Sequence, residues 1–112
     1  MVSKRYVPER GDLVWLQFDP QAGHEQAGRR PALVLSPATY NGKTNLALCC
    51  PVTSQLKGYP FEVPVVGKRI HGVVLADQVK SFDWHARKAA LIEKIAVGSL
   101  REVLLRVEAL LR

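Results

Sequence analysis

A chain of 112 residues, 47% hydrophobic and 23% charged, has the composition of an ordered protein and supports one core, so residues 1–112 read as a single domain. No apolar run approaches the roughly 20 residues of a membrane helix, and the N-terminal MVSKRYVPERGD lacks the apolar stretch of a signal peptide; both predict a cytoplasmic protein with no membrane association. Sixteen Lys and Arg against ten Asp and Glu leave a net charge of +6, a sign that favours nucleic acid or an acidic protein as partner.

In chain order, LVWLQF (13–18) is the first strand, with Trp15 expected in the core, and Asp19-Pro20 ends it. Arg30-Pro31 opens the second strand, ALVLS (32–36). The Asn-Gly step of YNGKT (40–44) is the turn signal that commonly joins two strands. LALCCPV (46–52) follows; its adjacent Cys49 and Cys50 point to opposite faces of a strand, so they read as buried, unbridged thiols of a reducing compartment. FEVPVV (61–66) and GVVLA (72–76) complete five or six short strands, and the β region ends in DQVKS (77–81). All seven prolines lie within the first 64 residues, and the C-terminus is instead helical. Ser99 and Glu102 have the spacing of a capping box, and Leu100, Val103, Leu104, Val107, Leu110 and Leu111 fall on one helix face. The expected architecture is mainly β, a small barrel closed by a C-terminal α-helix.

The segment GHEQAGRRPALVLS (23–36) joins a polar loop to an apolar strand and carries the chemistry. Arg30 precedes a proline, which restricts its backbone to extended geometry and presents its guanidinium from a firm base. A guanidinium keeps its charge and donates two parallel hydrogen bonds to a phosphate. His24 and Glu25 beside it are candidate proton carriers. RNA brings its own nucleophile, the 2′-OH; a carboxylate or imidazole, an arginine and a hydroxyl suffice to cleave it. A solvated hairpin loop is the competing reading.

Three ordered blocks carry a resemblance: GDLVWLQFDPQAGHEQAGRRPALVLSPATYN, PVTSQLKGYPFEV and GVVLADQVKSFDWHAR, followed by the helix. Together they resemble the MazF/PemK/Kid toxins of type II toxin–antitoxin modules over nearly the whole chain. The resemblance implies an SH3-like β-barrel of CcdB/PemK type and a homodimer. It also implies a sequence-specific, ribosome-independent endoribonuclease, a stress-response toxin that arrests growth. Such an enzyme cuts single-stranded mRNA without a metal or other cofactor, leaving a 2′,3′-cyclic phosphate and a 5′-OH. The implied partner is a MazE-like antitoxin whose acidic, disordered C-terminal segment covers the RNA site.

By the same resemblance the catalytic arginine falls on Arg30 and its paired hydroxyl on Thr53 in PVTS, with Glu25 as general base. His24 stands where Kid-type toxins have a catalytic histidine, and Asp77 matches their acid. The arginine that the Kid branch places two residues before that acid is Leu75 here, and LADQVKS resembles the MazF branch instead. The base is therefore either Glu25 or His24. Arg29, Ser54, Lys57, Asp77, Gln78, Lys80 and Arg87 are candidate RNA contacts, each also readable as solvated surface, and Trp84 is the candidate exposed stacking residue. His71 and His85 have no metal-ligand spacing. Two other functions are compatible with the same superfamily: a CcdB-like toxin that binds DNA gyrase and cleaves nothing, and an inactive RNA-binding homologue.

Overall fold

The computed structural model describes residues 6–18 and 28–112. Among them, β1 (Asp12–Gln17), β2 (Arg29–Val34), β3 (Leu46–Thr53), β4 (Glu62–Val66), β5 (His71–Leu75), β6 (Lys80–Asp83) and β7 (Ala90–Lys94) form one antiparallel sheet. Two helices, α1 (Ala38–Thr44) and α2 (Val97–Leu110), complete the fold. The strand order is β4-β5-β3-β2-β1-β7, with β6 paired to β3, and the sheet curls into a half-barrel.

Apolar alternation makes β1 central, because successive side chains point to opposite faces and both faces are covered. Leu13 enters one core with Leu33, Val52 and Val103, while Val14 and Leu16 enter a second core with Ala32, Val34 and Trp84. Burying a side chain such as Leu13 or Leu16 contributes about 1.5–3 kcal/mol. Trp15, expected in the core, is half-buried against the first of them.

Strand β3 changes neighbours along its length. Leu46–Cys49 pair with β6, and Val52 and Thr53 pair with β5. Pro51, which has no N–H to donate, lies where the partner changes. At the β5 end, a Cβ on Gly72 would strike the Thr53 carbonyl oxygen, so glycine is what lets the two strands approach there.

The far ends of the sheet are tied by a side chain. Glu93 on β7 accepts the backbone N–H groups of Lys68, Arg69 and Ile70 in the β4–β5 turn, each at 2.9 Å. A Cβ on Gly67 would occupy the same space as that carboxylate. The Arg69 N–H, helped by those of Lys68 and Ile70, holds the Glu93 carboxyl below its ordinary value.

Several expectations are corrected. The Asn-Gly step forms no hairpin turn: Asn41 is fully buried inside α1, which ends at Asn45 in the left-handed region (φ 61°). Asn41 Nδ2 donates to the carbonyls of Pro8 and Ser36, and its Oδ1 accepts from the Ser36 hydroxyl at 2.6 Å. Tertiary partners for a buried amide outweigh the local turn preference. Helix α2 starts at Val97 with Ala96 as N-cap and no side-chain cap, so Ser99 and Glu102 make no capping box. Its face is also narrower than expected, because Val103 is buried while Leu110 and Leu111 are exposed. The β region does not end at DQVKS either, since β6 begins within it at Lys80 and β7 follows.

Trp84 is the largest correction. It is 4% exposed, and its indole N–H donates to the Asn41 carbonyl at 2.9 Å. Its polar sequence neighbours FD and HAR mask a core residue that has found a partner for its one donor. Cys49 and Cys50 are buried and unbridged as expected, and burial pushes both thiols up to about 12. A buried anchor that the sequence did not suggest is Asp12, which accepts from the Tyr6 hydroxyl at 2.5 Å and from Lys94 Nζ at 2.6 Å. No helix among the described residues is long and apolar enough to cross a membrane.

Two outcomes follow for stability. Asn41→Ala strips partners from the Pro8 and Ser36 groups and should cost roughly 2–4 kcal/mol in denaturant unfolding; a loss below about 0.5 kcal/mol contradicts the hub role. For Glu93 the folded carboxyl titrates below the unfolded one, so its contribution is fully present above the unfolded value near 4.5 and fades as pH falls through the folded value. Glu93→Gln should therefore lower Tm at pH 7 and flatten the acid limb of the stability profile below about pH 4.5. An unchanged acid limb contradicts the latch.

Candidate active site

Arg30 sits on β2 opposite Leu16 of β1, with its side chain exposed beyond the second core. Strands β2 and β3 pair Ala32 with Pro51, Leu33 with Cys50 and Val34 with Cys49. Beyond the Ala32–Pro51 pair, Arg30 on β2 and Thr53 at the end of β3 line one cavity of about 340 Å3. Lys57, Gln78 and Lys80, expected from sequence, line the same cavity. Its remaining walls were not anticipated and include Phe18, Gln55, Tyr59, Glu62 and Phe82. Phe18 follows β1 and Phe82 lies within β6, and neither position marks a site in the sequence. Their rings pack 5.1 Å apart.

Among the described residues, three cations, Arg30, Lys57 and Lys80, and a single carboxylate, Glu62, line this space. The Glu62 oxygens accept the backbone N–H groups of Lys57 at 2.8 Å and Gly58 at 2.9 Å. Thr53 Oγ1 accepts the Gln55 N–H at 3.2 Å, which leaves the hydroxyl hydrogen for an acceptor in the cavity. Ser54 lines a second cavity, of about 240 Å3, which shares Arg30 and Thr53 with the first and is also bordered by His71. Arg30 and Thr53 thus lie between two recesses.

Other candidates fall elsewhere. Arg29 alternates to the opposite face from Arg30, and its guanidinium lies 5.5 Å from the centroid of the Trp15 ring. Asp77 is exposed between β5 and β6 and lines neither cavity. Arg87 is engaged in structure: one Nη1 donates to the carbonyls of Gln17 at 2.8 Å and Phe18 at 2.9 Å, and the guanidinium lies over the Phe82 ring. This arginine clamps the end of β1 behind the cavity wall, a correction to its reading as a phosphate contact. Trp84, buried under α1, is not in the site.

His24 and Glu25 lie outside the described residues. The residues flanking their segment are placed, however. The Phe18 N–H donates to the Gly28 carbonyl at 2.6 Å, and Phe18 lines the cavity. Among the described residues no three His, Cys, Asp or Glu side chains gather so as to hold a metal ion.

Comparison with known proteins agrees with this geometry. The chain is 53% identical over 111 residues to the endoribonuclease toxin MazF of Escherichia coli K12, with 99% of each chain covered. It superposes on MazF of Deinococcus radiodurans with a TM-score of 0.85 at 56% identity, covering 96% of this chain and 98% of that one. In the MazE–MazF complex of the same organism the TM-score is 0.86 at 49% identity, covering 96% and 97%. Residues 9–111 match the family described as PemK-like, MazF-like toxin of type II toxin-antitoxin system, and the chain belongs to that family.

Proposed function

We propose that the chain is the toxin of a type II toxin–antitoxin module and a sequence-specific, ribosome-independent, metal-independent endoribonuclease acting on single-stranded mRNA in the cytoplasm. One observation carries this reading: Arg30 and Thr53, from the adjacent strands β2 and β3, line one cationic cavity, where a phosphodiester would meet both. A gyrase-binding toxin has no use for that pair, and the family relatives bearing the name endoribonuclease support the same reaction.

In this mechanism the 2′-oxygen attacks the adjacent phosphorus, the P–O5′ bond breaks, and a 2′,3′-cyclic phosphate and a 5′-OH result. Glu25 or His24 takes the 2′-OH proton. Arg30 stabilises the dianionic phosphorane and serves proton transfer to the departing 5′-oxygen. Thr53, already an acceptor from Gln55, donates its hydroxyl hydrogen to the scissile phosphate. Lys57 and Lys80 hold neighbouring phosphates, Gln78 meets a base or sugar, and Ser54 lines the exit beyond Thr53.

The chain works as a homodimer with a MazE-like antitoxin as its partner. Val97, Leu105 and Leu111 of the C-terminal region are exposed, an apolar surface that supports pairing with a second copy. The solved complex of a MazF relative with MazE supports the antitoxin, and a +6 chain suits an acidic, disordered inhibitor segment.

Incubation with a long mixed-sequence RNA in excess EDTA should yield discrete cuts with 5′-OH ends, and Arg30→Ala should slow them by about 10²–10³-fold while remaining folded. Uncut RNA from folded wild type favours the gyrase-binding or inactive alternatives; full activity in the variant removes Arg30 from the site. The base is assigned by pH–rate profiles of His24→Ala and Glu25→Ala. Loss of a limb near neutral pH in the histidine variant alone identifies His24, and its loss at lower pH in the glutamate variant alone identifies Glu25.

A further inference from the structure

Glu62 is a carboxylate in a cavity proposed to bind a polyanion. By charge alone it opposes RNA, lying among Arg30, Lys57 and Lys80. Its oxygens are nonetheless both engaged, one on the Lys57 N–H and one on the Gly58 N–H. The Glu62 N–H in turn donates to the Tyr59 carbonyl at 3.2 Å. Residues 57–59 are therefore folded back onto the start of β4, and the two that line the cavity there are Lys57 and Tyr59.

Resting on the endoribonuclease reading, we infer that Glu62 is a positioning residue for RNA, an internal strut that holds the Lys57 ammonium in the cavity. Two charge-assisted bonds from one side chain fix two successive peptide units, and with them the direction in which the Lys57 side chain leaves the backbone. Without the strut, the segment between Thr53 and β4 keeps the Gln55 contact to Thr53 at one end and an Arg106 Nε donation to the Pro60 carbonyl at 3.0 Å at the other. Its middle, where Lys57 sits, loses both side-chain acceptors. The unfavourable field of the carboxylate on RNA is smaller than the benefit of a fixed cation.

Glu62→Gln decides between these effects, because they have opposite signs. The amide keeps the shape, loses the negative charge and has only one acceptor oxygen for the two N–H groups. If the strut dominates, the variant's KM for a short single-stranded RNA containing a mapped cut site should rise about tenfold with kcat within about twofold. The dependence of log KM on log salt should flatten by about 0.7, as it should in Lys57→Ala, because one phosphate contact is lost in each. The double variant should be no worse than the weaker-binding single one. A lowered or unchanged KM in Glu62→Gln overturns the inference, since simple charge removal then explains the site. A fall in kcat with Tm at constant KM overturns it equally, by making Glu62 a stability residue only.

If wild type cuts no RNA, the endoribonuclease reading fails by itself, and the strut is read from amide hydrogen exchange. Faster exchange at Lys57 and Gly58 in Glu62→Gln sustains it, and unchanged exchange sinks it.

Discussion

Three backbone N–H groups converging on one carboxylate hold this half-barrel closed. Glu93 belongs to the strand at one end of the sheet order, and its donors belong to the turn joining the two strands at the other end. Sheet hydrogen bonds alone cannot unite those ends, because β7 and β4 are not paired. Once the ends are tied, the curvature of the intervening strands is set. The cavity lies at the ends of β2 and β3, walled on one side by Gln55, Lys57 and Tyr59 of the 54–61 segment. The Gly67 and Gly72 backbones serve the same geometry, one leaving room for the carboxylate and the other letting β5 approach Thr53.

How much of this the sequence disclosed depends on what each residue interacts with. The strands that are buried on both faces, β1, β2 and β3, announce themselves as apolar runs, since burial leaves no room for polar alternation. The short β6, KSFD, has one half-buried residue among exposed ones, and β7, ALIEK, has only three apolar residues before Glu93 and Lys94; both are too short to stand out as strands. Asn41 and Trp84 were misplaced for a common reason. Each is a polar-capable residue in polar surroundings, and each is buried because the other supplies part of its setting, the indole N–H meeting the Asn41 carbonyl. Pairing across 43 residues has no local signature.

The candidate site was legible to a different degree. Arg30 precedes a proline and Thr53 ends an apolar run, so both sit at strand ends where a side chain turns from core to solvent. Their mutual placement follows from register, which a linear reading cannot supply. Glu62, Phe18 and Phe82 were invisible as site residues because their roles arise from folding: a carboxylate that accepts two N–H groups looks, in sequence, like any surface glutamate. Arg87 shows the converse. Its positive charge suggested phosphate, whereas its Nη1 is taken by the carbonyls of Gln17 and Phe18 at the end of β1. In a chain of net charge +6, charge alone identifies which residues are cationic but not which of them are available.

The hydrogen bond between Phe18 and Gly28 has a consequence for how such a protein diversifies. It closes the β1–β2 ladder one step beyond the Gln17–Arg29 pair, so the two strands are held in register at that end. Doubling the length of a chain segment closed in this way costs only about 0.6 kcal/mol in chain entropy. Changes of length or sequence between Phe18 and Gly28 are then nearly neutral for the barrel. The fold separates what must stay constant from what can drift, and new recognition properties can be sampled there without passing through an unstable ancestor.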